Sequence, residues 1–178
     1  MSVLPAEAPW IPSIPPLAPG GLIHVIIDTP RGSRSKYKFD KVSGLFTLSR
    51  ILPPGLQFPC DFGFIPGTIG EDGDALDVAL ISEESSIVGC LITVRLLGLL
   101  RAHQIDQGKN VRNDRFVAVP ATAVNVPKQR DLRDVAGMQL DALENFFVVY
   151  NQLQGRKFVP ERREGAQAAR RALHQGMH

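Results

Sequence analysis

Read for the period of its apolar positions, the chain divides into three stretches. Up to residue 20 no period is visible, and six of the 14 prolines (Pro5, Pro9, Pro12, Pro15, Pro16, Pro19) fall there. Proline cannot donate to a sheet ladder or continue a helix, so residues 1–20 are expected to form an extended arm, with Trp10 available to dock on the body or on a neighbouring subunit. From Gly21 the pattern changes to short runs of aliphatic and aromatic residues at 23–27, 37–39, 45–48, 77–81, 91–100 and 116–119. Clusters of glycine, proline, serine and asparagine-aspartate interrupt them, as between the strands of a barrel or sandwich. Residues 92–100 fit helix or strand by hydrophobicity alone; the β-branched start and Gly98 favour a strand. A helical period appears only late. Leu140, Leu143, Phe147 and Tyr150 recur at steps of three or four, with Gly155 as a stop signal, and a second helix is expected over 167–173. The pattern predicts a mainly β, α+β chain: a small barrel followed by one or two packing helices, in one domain over residues 21–178 behind the arm.

Composition narrows the function classes. The 178 residues are 44% hydrophobic and 21% charged, ordinary for one globular domain. Twenty basic residues against 18 acidic ones leave a formal charge of only +2, too little excess for a dedicated nucleic-acid binder. Two cysteines, Cys60 and Cys90, make neither a disulfide framework nor a four-thiolate zinc site and suit a reducing compartment. No run approaches the roughly 18 apolar residues of a membrane span, and no basic-then-apolar leader pattern stands at the N-terminus. A cytoplasmic protein without membrane partners is the expectation. The histidines (His24, His103, His174, His178) are scattered, with no spacing for a triad or a metal.

The densest chemistry lies in Glu71-Asp72-Gly73-Asp74-Ala75-Leu76-Asp77, which sets four carboxylates within seven residues just before an apolar run. Like charges so close repel unless solvent or cations offset them. A calcium loop does not fit, because Leu76 replaces a ligand and Asp77 stands where that loop needs glycine. In extended chain Asp72 and Asp74 share a face and Asp77 has the other parity, but Gly73 can bend the segment and bring the three together. Hard oxygen donors suit magnesium. Upstream, Phe58-Pro59-Cys60-Asp61-Phe62-Gly63-Phe64-Ile65-Pro66-Gly67 mixes aromatics with turn residues, as core and turns would. Lys36-Tyr37-Lys38-Phe39 alternates, which puts the two lysines on one face for a polyanion or for solvent and the two rings toward the core. Arg50 follows the next β-run.

In order and at nearly the same spacing, these segments resemble the soluble family I inorganic pyrophosphatases. The likeness runs from Val25-Ile26-Ile27-Asp28-Thr29-Pro30 through Lys36-Tyr37, Arg50, the Phe58 to Phe64 motif and Asp72-Gly73-Asp74-Ala75-Leu76-Asp77 to Phe116-Val117-Ala118-Val119-Pro120, and on to about Phe158. It implies an OB-like five-stranded β-barrel with flanking helices, magnesium as cofactor, pyrophosphate and phosphate as ligands, and a homo-oligomer. By position Asp72 and Asp77 match metal ligands, and Asp74 matches the carboxylate that takes a proton from the attacking water. Lys36, Arg50, Arg115 and Tyr150 match residues that hold phosphate. The match is imperfect. Asp28 replaces a glutamate, Lys38 inverts a negative charge, Phe58 and Phe62 lack tyrosine hydroxyls, Ala75 replaces proline or glutamate, and Asn151 replaces a lysine. Gln104-Ile105-Asp106 and Arg112-Asn113-Asp114-Arg115 fall where several carboxylates are usual; Asp114 is the expected metal ligand there, with Asp106 behind it. Lys38 with Gly32-Ser33-Arg34 and Asn113-Asp114-Arg115 resembles a bacterial branch. The expected activity is magnesium-dependent hydrolysis of pyrophosphate by an activated water. The alternatives are an inactive protein on the same scaffold that binds pyrophosphate or nucleotide for sensing or assembly, and an OB-type nucleic-acid binder, which the near-neutral charge and groove acids disfavour.

Overall fold

A computed structural model describes residues 14–123 and 129–177, so most of the proline-rich arm, Trp10 included, lies outside the described residues. The end of the arm that is described is docked. Leu17–Ala18 (β1) pairs antiparallel with Leu22–Thr29 (β2) around a 3-10 turn at Pro19–Gly21, and the His24 amide donates to the Pro16 carbonyl at 2.9 Å.

The chain then makes a ribbon from Ser35–Asp40 (β3) and Leu45–Ile51 (β4), which pair only with each other. Next come Asp61–Phe64 (β5), Asp77–Leu80 (β6), the 16-residue Leu91–Asp106 (β7), Lys109–Arg112 (β8) and Arg115–Pro120 (β9). Hydrogen-bonded neighbours run β2, β5, β6, β9, β7 and return to β2, so five strands close on themselves as a barrel. One of its seams, β6 against β9, is parallel. After a 3-10 turn at Leu132–Asp134 come helix α1 (Gly137–Gln152), strand β10 (Lys157–Gly165) against β7, and helix α2 (Ala166–Gln175).

The barrel wall is buried on both faces. Val78 and Leu80 on β6, Phe116 and Ala118 on β9, and Val94, Leu96 and Leu99 on β7 join one core cluster with Ala169 and Leu173 of α2. Their neighbours Ala79, Val117, Val119, Leu97 and Leu100 join the other, under Leu143, Phe146 and Phe147 of α1. A strand sandwiched in this way loses its polar alternation, which is why the run at 116–119 reads as continuously apolar. On β7 the parity switches at Leu97, where a bulge lets Leu96 and Gly98 pair with successive residues of β9.

The predicted runs all fall on strands, and both helices are present. Besides β1 at the end of the arm, three further strands were not expected. The Phe58 to Gly67 motif, read as core and turns, contains β5; the polar end of the long strand pairs with β8 through Gln107-Gly108, both at positive φ; and Lys157–Gly165 separates the two helices. The last two are charged and largely open to solvent, with Phe158 the one fully buried side chain of β10, so no apolar period marks them. Tyr37 and Phe39, expected in the core, are only half-buried, because the ribbon stands off the barrel. Asp61 of the motif is buried and structural: its carboxylate accepts from the Arg31 amide at 2.7 Å and the Ser86 amide at 2.9 Å, tying two loops together. No helix among the described residues is long and apolar enough to cross a membrane.

Gly63 lies where β5 crosses β2 so closely that a Cβ would stand 2.2 Å from the Ile26 carbonyl oxygen. Backbone cannot give way there as a side-chain tip would. Gly63→Ala is expected to destabilise the fold by about 1–3 kcal/mol, the usual cost of overpacking, read as a lowered urea midpoint with an unchanged slope.

Candidate active site

Two irregular pairings bring the first charged groups together. On β2 and β5, Ile27 pairs with Gly63 and Thr29 with Phe62, so Asp28 is the extra residue of a bulge. On the ribbon, Lys36 pairs with Arg50 and Tyr37 with Leu48, so Ser49 is the extra residue of another. Without the second bulge Ser49 rather than Arg50 would oppose Lys36; with it, both cations line one cavity. The Lys36 ammonium donates to both Asp28 oxygens at 2.7 Å. It also stands 4.5 Å from the centre of the Phe62 ring. Lys36 and Asp28 are only 14% and 8% exposed, so this pair is a fixed feature. Burial pushes the Asp28 carboxyl above its ordinary pKa, with Lys36 opposing the shift.

The acidic turn forms the opposite rim. Gly73 takes a φ of 83°, its amide donates to Gly70, and the Gly70 amide donates to the Asp74 carbonyl at 2.7 Å. Asp72 caps the turn, accepting from the Asp74 amide at 3.1 Å. Asp72, Asp74 and Asp77 all face the same cavity of about 680 Å3 as Lys36 and Arg50. Asp74 receives the Lys38 ammonium at 3.0 Å, and Asp77 receives Arg115 at 2.9 Å. Asp72 makes no ion pair with a described residue.

Arg115 and two amides build the floor. The Arg115 guanidinium lies 5.1–5.7 Å from the ring centres of Phe147, Phe158 and Phe62 and donates to the Asn113 side chain. Asn113 in turn donates to the Gln104 side chain at 2.8 Å. Phe62 therefore bears on two cations, Lys36 and Arg115. Tyr150 borders the cavity against Phe146 and Phe58, and burial raises its phenol pKa while Arg50 lowers it. Asp106 is there too, paired with Arg156 at 2.8 Å.

Asp114, the expected metal ligand from this segment, does not line this cavity. Asn113 and Arg115 point into the cavity, so Asp114 between them points away. Arg101 at 2.6 Å and Arg112 at 3.4 Å hold it in a smaller adjoining cleft, which shares Asp72, Asp77 and Asn113 with the cavity. Gln104 and Asn113 were not foreseen as site residues. The parity of Arg115 is the signal that points to Asn113, and the β7–β8 pairing then points to Gln104.

The family model described as inorganic pyrophosphatase matches residues 25–178. The chain belongs to the inorganic pyrophosphatase family. Curated relatives of that name include one from Synechocystis, 40% identical over 79% of this chain and 81% of its own length, and one from Streptomyces coelicolor, 37% identical over 76% and 80%. Among solved structures, the inorganic pyrophosphatase from Thermus thermophilus superposes with a TM-score of 0.86 at 28% identity, covering 94% of this chain and 96% of the other. That from Neisseria gonorrhoeae gives 0.84 at 29% identity, covering 94% and 96%. The OB-like barrel of this chain is the fold of the inorganic pyrophosphatases, which are metal-dependent.

Among the described residues no three acidic, histidine or cysteine side chains stand close enough together to grip a metal ion unaided; Lys38 and Arg115 draw two of the three turn aspartates toward themselves. The chemistry still fits a hard cation at Asp72 and Asp77. Asp72, exposed to solvent, makes no ion pair with a described residue, and desolvation by the surrounding turn, then the charges of Asp77 and Asp74, raise its pKa above the ordinary 3.8. The folded chain thus holds more protons than the unfolded one, and this site loses stability as pH rises from about 3.8 through the raised pKa. Asp72→Asn is expected to raise the melting temperature in chelator at pH 7 to 8 and to lose most of the rise that magnesium gives the natural chain. Equal melting curves for the two chains under both conditions would count against strain at Asp72.

Proposed function

We propose that this chain hydrolyses inorganic pyrophosphate to two phosphates, with magnesium, by direct attack of water. What carries the reading, beside family membership, is one cavity lined by Lys36, Arg50 and Tyr150 on one side and by Asp72, Asp74 and Asp77 on the other. Phosphoryl transfer depends mostly on positioning and electrostatics, and such a cavity offers cations for the phosphate oxygens and carboxylates for a metal and a water.

Asp72 and Asp77 would hold the metal. Bound magnesium supplies charge neutralisation at the phosphate and a more acidic water. Asp74 lies between these two ligands and takes the proton of the attacking water. Lys36 and Arg50, opposed across the ribbon, hold phosphate oxygens, and the Tyr150 hydroxyl adds a donor. Asp28 and the Phe62 ring keep Lys36 in place beforehand, so little reorganisation is needed on binding. Arg115 is too enclosed to swing; it steadies Asp77 and borders the floor. Asp106, tied to Arg156, is left at the edge, and Asp114, held by Arg101 and Arg112, lies behind Asp72 and Asp77 in the adjoining cleft. The free thiols of Cys60 and Cys90 suit a cytoplasmic setting, and the exposed Met138 and Val149 of α1, with Leu153 at its C-terminal cap, suit self-association.

Asn cannot accept a proton at neutral pH, so Asp74→Asn should fold normally and lower turnover by roughly 10²–10⁴-fold, the contribution of a general base. Asp72→Asn should instead raise the magnesium concentration needed for half-maximal rate. Phosphate release against magnesium concentration for the three chains, with circular dichroism as a folding control, decides the matter. Near-natural turnover in Asp74→Asn removes it as the base; no release from the natural chain leaves an inactive pyrophosphate-binding protein in place of the enzyme.

A further inference from the structure

We infer that Lys38 is a movable phosphate-binding arm, parked on Asp74, which lets this chain take up a phosphate anion without a divalent cation. The inference rests on the site described above but not on its catalytic assignments.

Four cations lining the cavity are paired with acids, and they differ in freedom. Arg115 is 7% exposed and caged by rings, Lys36 is 14% exposed, and Arg156 is 40% exposed. Lys38 is 61% exposed, and so is its partner Asp74. Its ammonium reaches both Asp74 oxygens, at 3.1 and 3.0 Å. An ion pair so open to water is weak, and a lysine is a point charge on a flexible four-carbon stem that can change partner by rotation. A phosphate or pyrophosphate carries at least two negative charges at neutral pH and several acceptor oxygens, against one charge on Asp74. Within reach of the arm it is the stronger partner.

The charge of the cavity favours the same event. Bases outnumber acids by one among the side chains that line it. Arg50 and Lys41, on the ribbon side, have no ion-pair partner among the described residues. On the floor, where a carboxylate would repel an anion, Asn113 and Gln104 are bonded to each other and carry no charge. An entering phosphate therefore meets Arg50, Lys36 and the transferred Lys38 and is not dependent on a metal to offset a net negative wall. When Lys38 moves, it leaves both Asp74 oxygens open to the cavity, so arrival of the anion and release of Asp74 are one motion.

The test is isothermal titration of sodium pyrophosphate and sodium phosphate into full-length protein in metal-stripped buffer with chelator. The natural chain should bind, and Lys38→Gln should weaken that binding by about tenfold, the worth of one charge-assisted hydrogen bond. Lys157→Gln, which removes a charge outside the cavity, should change it far less. Asp74→Asn should tighten metal-free binding several-fold, because the arm loses its parking place; a merely structural role for the pair predicts no gain. No binding by the natural chain without metal, equal losses from Lys38→Gln and Lys157→Gln, or weaker binding by Asp74→Asn would each overturn the inference. Phosphate release with magnesium, measured on the same preparations, separates the two readings. Hydrolysis without metal-free binding sinks only the arm, and metal-free binding without hydrolysis sinks only the enzyme assignment.

Discussion

Charge neutralisation across elements is the constraint on which this site depends. Asp28 sits on the barrel and its cation on the ribbon; Asp74 sits on the acidic turn and its cation again on the ribbon; Asp77 opens β6 and its cation opens β9. The first pair spans one loop of eight positions, and the other two join segments far apart in sequence. Each fastens two pieces of chain that would otherwise meet only through loops, and together they keep a cavity full of like charges from pushing itself apart. The most buried pair, Asp28 with Lys36, leaves a carboxyl whose pKa burial still raises, so the cost of enclosing the charge is only partly offset.

Bulges are how the barrel delivers charges to one place. A regular strand sends successive side chains to opposite faces, so a regular β2 or β4 would divide its polar residues between cavity and core. The extra residue at Asp28 and the extra residue at Ser49 break that alternation where a charge is needed, and Gly63 lets β5 pass against β2 at the first of them. Aromatic rings serve the same end from beneath. Phe62 bears on Lys36 and on Arg115, which makes the ring a positioning surface for two cations as well as part of the core.

The site differs on its two sides. The ribbon side, with Lys38, Lys41 and Arg50, is open and basic; the floor, with Arg115, Asn113 and Gln104, is enclosed and tied up in its own bonds. Groups that must meet an incoming anion belong on the open side, and groups that hold geometry belong on the closed one. Asp72 has no ion-pair partner among the described residues, which makes it a natural seat for a cation from solution.

Much of this was already determined by the order of residues along the chain. The apolar runs predict six of the barrel and ribbon strands, the late helical period predicts α1 and α2, and the acidic turn with Gly73 identifies one rim of the site. These are local properties, expressed within a few residues. Strands β8 and β10 carry no such signal because most of their side chains are open to water, Phe158 excepted, and the closure of the barrel is a pairing between β2 and β7, some seventy residues apart. Only the tertiary structure decided which way each charge points. Asp114 was the reasonable metal ligand by neighbourhood in sequence, yet alternation turns it to Arg101 and Arg112 and turns Asn113 inward. Lys38 and Asp74 lie 36 positions apart, so no local pattern pairs them. A one-residue change of register or bulge reverses the face of a side chain, and register is set by pairing partners far away in sequence.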